Sequence, residues 1–297
     1  MHVYRFDPKL DGSPRRVTYL VPYWPKMRVL EALRVIHETH EPLAFRSCCR
    51  AKLCGSCAMT LNGEPGLACE VEASDDMVIE PLAGFPVLKD LIVDFGGVQS
   101  NLDSLQLQPT RHRCFNLKPK SISLDAIEQM KKFSCCVWCQ VCNSACPSFR
   151  NAPGEFAGPS LFTQLARIAA DPRDNASRQE QAHSLGLFNC VGCFRCEEVC
   201  PYDIPILEEA IERFREKCFN VKLNPRHTEV FLRLVRDGGL IDSSRLFLKT
   251  RGYPSISELP WAFQLLSRGK ASILAKKGIQ SANQIRRIFE AQRMFTN

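Results

Sequence analysis

Apolar residues recur along this chain with two different spacings, and the change from one to the other divides it. Near the start, residues 3–6 and 17–21 are short apolar stretches separated by Gly12, Ser13 and Pro14, which predicts two strands joined by a turn. Residues 28–38 then place Val29, Leu33 and Ile36 at i, i+4 and i+7, one face of a helix. Residues 59–61 and 77–81 return to strand character, and Asn62-Gly63 is a hairpin turn signal. Further on the spacing is helical: Leu161, Leu165 and Ile168 share a face within 159–170, as do Leu207, Ile211 and Phe214 within 206–219. Another helix is expected over 124–132.

The class that follows is α+β, with strands first and helices after. Three segments are expected: a small mixed domain over 1–104, a helical domain over 105–217 that opens with a polar, proline-containing linker to Lys120, and a helical extension over 218–297. The chain has 297 residues, 45% apolar and 24% charged, so it has the composition of an ordinary globular protein. No apolar run reaches the eighteen or more residues of a membrane span, and no export signal is visible. A cytoplasmic placement is expected, on the inner face of a membrane if partner subunits hold it there.

The net charge of +7 is concentrated in the last segment, where 14 Lys and Arg face 5 Asp and Glu. A nucleic-acid surface would interleave aromatic and basic residues on one face. The stretch KASILAKKGIQSANQIRRIFEAQRMF instead reads as a helix with Ile273, Leu274, Ile285, Ile288 and Phe289 available for packing. Its basic face is either simply solvated or docks on an acidic subunit or anionic lipid headgroups; no nucleic-acid partner is expected.

Sixteen cysteines change the picture. Cys136, Cys139, Cys142 and Cys146-Pro147 repeat the spacing of Cys190, Cys193, Cys196 and Cys200-Pro201, C-x2-C-x2-C-x3-C-P, which is that of two 4Fe-4S clusters. Three thiolates two residues apart reach three irons of one cubane, and the fourth comes from elsewhere. In two-cluster ferredoxins the cysteine before proline serves the other cluster. That assigns Cys136, Cys139, Cys142 and Cys200 to one cubane, and Cys190, Cys193, Cys196 and Cys146 to the second. Upstream, Cys49, Cys54, Cys57 and Cys69 give the plant-type 2Fe-2S spacing C-x4-C-x2-C followed by a distant fourth cysteine. Cys48 would leave five intervening residues and is therefore a bystander. Strands, a helix and further strands around such a loop are the layout of a β-grasp 2Fe-2S ferredoxin. Gly55 and Ser56 are small enough for backbone N–H groups to approach the sulfides, and Arg46, Arg50 and Lys52 offset the cluster's negative charge.

The plainer readings fare worse. Zinc needs one tetrahedral set of four, and the cysteine triplets overshoot it. Disulfides require an oxidising compartment, and Cys135-Cys136 is a poor pairing. Cys48, Cys114, Cys135 and Cys218 fall outside the three sets and read as small packing side chains.

The order of motifs resembles the iron-sulfur subunits of succinate dehydrogenase and fumarate reductase. SCCRAKLCGSCAM and NGEPGLAC resemble that family's first cluster loop, EPLAGFPVLKDLIVDFGG its linking stretch, and CPSF the segment after the first cubane motif. The resemblance covers residues 1–217. It implies an electron-transfer subunit lying between a FAD-bearing subunit, where succinate and fumarate interconvert, and a membrane-associated partner, with no catalytic residue of its own. The cubane served by Cys200 is then medial and the one served by Cys146 distal.

Two departures stand out. Most members carry a 3Fe-4S cluster at the distal position because one cysteine is replaced, whereas this chain has Cys193; a 4Fe-4S cluster is expected there, with 3Fe-4S as the alternative. The family's usual quinone-pocket tryptophan and histidine are replaced by Arg150, Asn151 and Val191, which puts a quinone site on this chain in question. Both departures resemble an atypical branch whose membrane partner is a cysteine-rich CCG-type protein. No cysteine follows Cys218, so such a module is expected on another polypeptide. The competing reading keeps the clusters but serves another flavoprotein, of the glycolate or lactate oxidase or heterodisulfide reductase type.

Overall fold

The computed structural model describes residues 1–109, 122–220, 226–251, 263–264, 267–268 and 279–295. Cys114, most of the expected linker, and Ile273 and Leu274 lie outside the described residues. The chain divides into two compact units, Met1–Val221 and Lys222–Asn297. The stretches expected from the sequence at 1–104 and 105–217 fall within the first.

The first unit opens with β1 (His2–Arg5), β2 (Arg15–Thr18) and α1 (Val29–Thr39), followed by β3 (Ala58–Leu61), β4 (Glu64–Leu67) and β5 (Val78–Glu80). They form one sheet in the order β2-β1-β5-β3-β4, with β1 parallel to β5 and the other pairings antiparallel. Asn62 and Gly63 both have positive φ, 51° and 84°, which suits the right-handed twist of a two-residue hairpin. Helix α1 buries Val29, Leu30, Leu33 and Ile36 against this sheet, in a core shared with Val3, Met59, Leu67 and Ile79, while its Ala32 packs with Met27 and Ala73. Its first turn is closed by the Glu31 carboxylate, which accepts the Arg28 N–H at 2.7 Å.

A buried ionic cluster pins the strands to the segment leading into the cysteine loop. Arg5 Nε donates to Asp90 Oδ1 at 3.0 Å, Arg5 also reaches Tyr19 Oη at 2.7 Å and the Pro42 carbonyl at 2.8 Å, and Asp90 accepts the N–H groups of Phe6 and Ala44. The small ribbon β6 (Val87–Lys89) and β7 (Ile92–Val93) supplies Asp90 from its turn. Helix α2 (Gly96–Ser104) follows.

The rest of the first unit is helical: α3 (Leu124–Ser134), α4 (Val141–Ala145), α5 (Pro147–Asn151), α6 (Pro159–Ala169), α7 (Arg178–Ser184), α8 (Arg195–Glu198) and α9 (Glu212–Asn220), the last preceded by a π-helical segment Ile206–Ile211. Proline opens α6, where its missing N–H costs nothing, and Leu161, Phe162, Leu165 and Ile168 are buried beneath α3 and the π segment. The expected single helix over 206–219 thus begins as a wider π turn, while Leu207, Ile211 and Phe214 are all buried as the spacing required.

The second unit contains α10 (Arg226–Gly238), α11 (Ser243–Arg251) and α12 (Ala282–Phe295), with α10 packed on both others. Ile288, expected to pack, is 59% exposed.

Candidate metal centres

The loop bearing Cys49 is shaped by backbone amides turned inward. Arg50, Lys52 and Gly55 adopt left-handed φ of 58°, 62° and 67°. Successive turns of this kind aim N–H groups into a concavity that favours an anion. Cys49 Sγ accepts from the N–H groups of Ala51 at 3.4 Å, Leu53 at 3.2 Å and Cys54 at 3.3 Å. Cys54 Sγ accepts from Cys49 N–H at 3.5 Å. That N–H and the Ser56 hydroxyl pull the Cys54 thiol down to about 6. Burial pushes the neighbouring Cys57 thiol up to about 12, and Cys69 lies beside it. The four predicted residues are therefore together, while Cys48 is exposed. Of the three cations expected to offset the cluster, Lys52 is paired with Glu70 and Arg46 lies over the Phe95 ring, 5.1 Å from its centroid.

The two later motifs have the same backbone. Trp138 and Gln140 flank Cys139 with φ of 60° and 66°, and Gly192 and Phe194 flank Cys193 with φ of 66° and 61°. The Trp138 N–H faces the Cys136 thiol as the Gly192 N–H faces Cys190, and behind the prolines the Ser148 N–H serves Cys146 as the Tyr202 N–H serves Cys200. The hydrogen bonding thus repeats with the sequence up to that point, beyond which Phe149 serves Cys146 from three residues on and Ile204 serves Cys200 from four.

The motifs cross. Cys200 is close enough to act electrostatically on Cys136, Cys139 and Cys142, and Cys190 and Cys193 act on Cys146. Burial is the main force on these thiols: it pushes Cys139 and Cys196 up to about 12 and Cys142 well above the ordinary range. A space of about 350 Å³ counting its mouth is lined by Cys136, Cys139, Cys142 and Cys200, with Thr163, Ile204 and Ile206 in its wall. Four convergent thiols are the donor set that a cubane cluster requires. Among the described residues, no three His, Cys, Asp or Glu side chains are gathered as they would be around one metal ion.

Behind this space lies a polar network that no motif announces. Asn143 Nδ2 donates to Gln140 Oε1 at 2.8 Å, Ser160 Oγ donates to the same oxygen at 3.1 Å, and Ser160 N–H donates to Asn143 Oδ1 at 3.0 Å. It bolts the first motif to the start of α6. A β-carbon at Gly158, whose φ is 96°, would lie 2.6 Å from Asn143 Oδ1.

A sequence profile for a 2Fe-2S iron-sulfur cluster binding domain matches residues 1–100, and one for a 4Fe-4S dicluster domain matches residues 132–204. The fumarate reductase iron-sulfur subunit of Haemophilus influenzae is 33% identical over 220 residues, 68% of this chain and 86% of that protein. The chain belongs to the fumarate reductase iron-sulfur subunit family. Among its relatives, a subunit of the fumarate reductase (CoM/CoB) of Methanothermobacter marburgensis is 38% identical over 216 residues, 72% of this chain but only 43% of that protein. The chain thus spans less than half the length of such methanogen relatives. A chain of the Mycobacterium smegmatis Sdh1 complex in its apo form superposes with a TM-score of 0.67 at 28% identity, over 75% of this chain and 96% of its own.

Of the three residues that put a quinone site in question, Arg150 lies against Gly84, Asn151 Nδ2 donates to the Pro147 carbonyl at 2.9 Å, and Val191 is 68% exposed. Beside it Cys193 and Phe194 are exposed as well.

Proposed function

We propose that this chain is the electron-relay subunit of a succinate dehydrogenase or fumarate reductase complex. Cys49, Cys54, Cys57 and Cys69 hold a 2Fe-2S cluster, Cys136, Cys139, Cys142 and Cys200 a medial 4Fe-4S cluster, and Cys190, Cys193, Cys196 and Cys146 a distal 4Fe-4S cluster. Bound clusters supply one-electron carriers, with potentials tuned by hydrogen bonds and burial.

The protein's part is to hold, space and tune them. Thiols that burial keeps protonated in the metal-free chain would lose their protons to solvent as they ligate iron, so loading would release protons and tie the loops together. Inward N–H groups offset the negative charge at each site. The single observation that carries the reading is the close approach of the first site to the second: Gly55 of the first loop lies against Cys139 and Val137 of the second. Cys142 in turn lies within electrostatic reach of Cys196, in the third set. These approaches support a relay in which the three sets run in series.

The two ends of the series face solvent. Leu53, 70% exposed in the first loop, marks the side for a FAD-bearing partner, where succinate and fumarate chemistry would reside. Val191 and Phe194, beside the distal set, mark the side for a membrane-associated partner. The replaced quinone-pocket residues and the likeness to a subunit named for CoM/CoB favour a cysteine-rich CCG-type partner there over a quinone. Among the described residues no helix is long and apolar enough to cross a membrane. In this reading, contact with the membrane's cytoplasmic face runs through partners.

Anaerobic purification of the native complex tests this. A brown protein with about ten irons per chain, copurifying with a flavoprotein and reduced by succinate, is expected. Copurification with a different flavoprotein and no reduction by succinate would assign the relay to another oxidoreductase.

A further inference from the structure

Tyr202 follows Cys200-Pro201 in the medial site's segment, yet its side chain contacts the first cysteine loop. Its O–H donates to the Lys52 carbonyl, and the Lys52 ammonium lies 5.8 Å from the centre of its ring. Cys49, Cys135 and Cys139 are among the groups close enough to act on it electrostatically. The Lys52 carbonyl belongs to the same peptide unit as the Leu53 N–H. That N–H donates to Cys49 Sγ at 3.2 Å. A chain of hydrogen bonds thus runs from the Tyr202 hydroxyl, through one peptide group, to a sulfur of the 2Fe-2S site.

Hydrogen bonds in series polarise one another. A donor on the carbonyl draws electron density from the amide, making its N–H a stronger donor to sulfur. A stronger N–H···S bond favours the more negatively charged, reduced form of a cluster, and hydrogen bonds to sulfur are an established lever on cluster potential. Resting on the relay proposed above, we infer that Tyr202 is a positioning residue that raises the reduction potential of the 2Fe-2S cluster through the Lys52–Leu53 peptide. A residue of the medial segment would thereby set the driving force for the first transfer between clusters.

The test is a redox titration of the loaded protein, followed by electron paramagnetic resonance, comparing the unsubstituted chain with Tyr202→Phe. Phenylalanine keeps the ring and its packing and removes only the hydroxyl. Serial polarisation alters a charge-assisted hydrogen bond by about 10–30% of its strength, so the reduction equilibrium of the 2Fe-2S cluster should weaken about 1.3- to 4.6-fold, which at 59 mV per decade is a downward shift of about 7 to 39 mV. The distal midpoint should stay in place, as an internal reference. Placing 3-fluorotyrosine at position 202, a stronger O–H donor of nearly the same shape, should move the 2Fe-2S midpoint upward. If both variants leave that midpoint where it is, the inference is overturned and the relay reading stands. If the unsubstituted protein shows no 2Fe-2S signal, both are overturned.

Discussion

A β-carbon placed on Gly55 would lie 2.7 Å from the Cβ of Cys139 and 2.9 Å from a methyl carbon of Val137. This contact joins the loop of the first thiol set to the loop of the second, and the φ of 67° at Gly55 adds a second reason for glycine. From the sequence, the small residue at Gly55 points to amides approaching sulfide. In the folded chain its closest demand is the neighbouring loop.

Gly55→Ala should therefore act on stability and on transfer together. Overpacking and a left-handed non-glycine residue each cost about 1–3 kcal/mol, so a loss within or somewhat above that range is expected in denaturant unfolding. Forcing the loops apart should also slow electron exchange between the 2Fe-2S and medial clusters, read as weakened magnetic coupling in electron paramagnetic resonance. Unchanged stability and coupling would show that the two loops are not in contact.

Arg5 and Asp90 form a pair in which both side chains are at most 8% exposed. Asp90 pulls the Arg5 guanidinium upward in pKa against the opposing effect of burial. Arg5→Met leaves Asp90 without its cation and the Tyr19 and Pro42 oxygens without their donor. Breaking such a pair from one side costs about 3–5 kcal/mol. Guanidinium unfolding of the purified variant checks this, and a loss under about 1 kcal/mol would mean that water replaces the guanidinium.

In the metal-free chain the thiols of one loop should react in a set order. Cys54 is drawn down to about 6, so at neutral pH it is mostly thiolate; Cys57 is pushed up to about 12 and stays protonated until strongly alkaline pH. Alkylation follows the thiolate. Mass-spectrometric mapping of iodoacetamide labelling at neutral pH should find Cys54 modified well before Cys57, and the Cys54 rate should fall as pH drops through about 6.

Cys193 is the residue on which the proposed distal 4Fe-4S cluster depends. It is exposed, so in the metal-free chain Cys193→Ala should change folding stability by no more than about 0.5 kcal/mol. Removing its thiol should leave one iron of the distal cluster without a protein ligand. The expected result is loss of about one iron per chain and the appearance of a 3Fe-4S signal after oxidation. An unaltered iron count and spectrum would mean that Cys193 is not a ligand.

The parts of the fold that are legible in the sequence are those whose cause is local. Helix α1 and helix α6 carry their own apolar faces, and Asn62-Gly63 carries its own turn. Strand β4 is hidden because Pro65 and Gly66 are poor strand formers, and it survives at the sheet edge, where a missing N–H is tolerated. The ribbon of β6 and β7 has strands of three and two residues, too few to show a period.

The cysteine spacing announces the three thiol sets because each ligand run is local to one loop. What shapes the runs is not local. Gln140 sits between two of the cysteines, but the hydroxyl it binds, on Ser160, is twenty residues further along the chain. Tyr202 reaches Lys52 across 150 residues. Such partners become visible only when the chain is folded, and no period or motif marks them.

The central claim is that three thiol sets carry one 2Fe-2S and two 4Fe-4S clusters in series. Mössbauer spectroscopy of protein grown on enriched iron and purified without oxygen measures how the iron is partitioned. About one-fifth of the iron is expected in a 2Fe-2S environment and the rest in cubane environments. A 3Fe-4S component in the oxygen-free sample, or one cluster type alone, would contradict it.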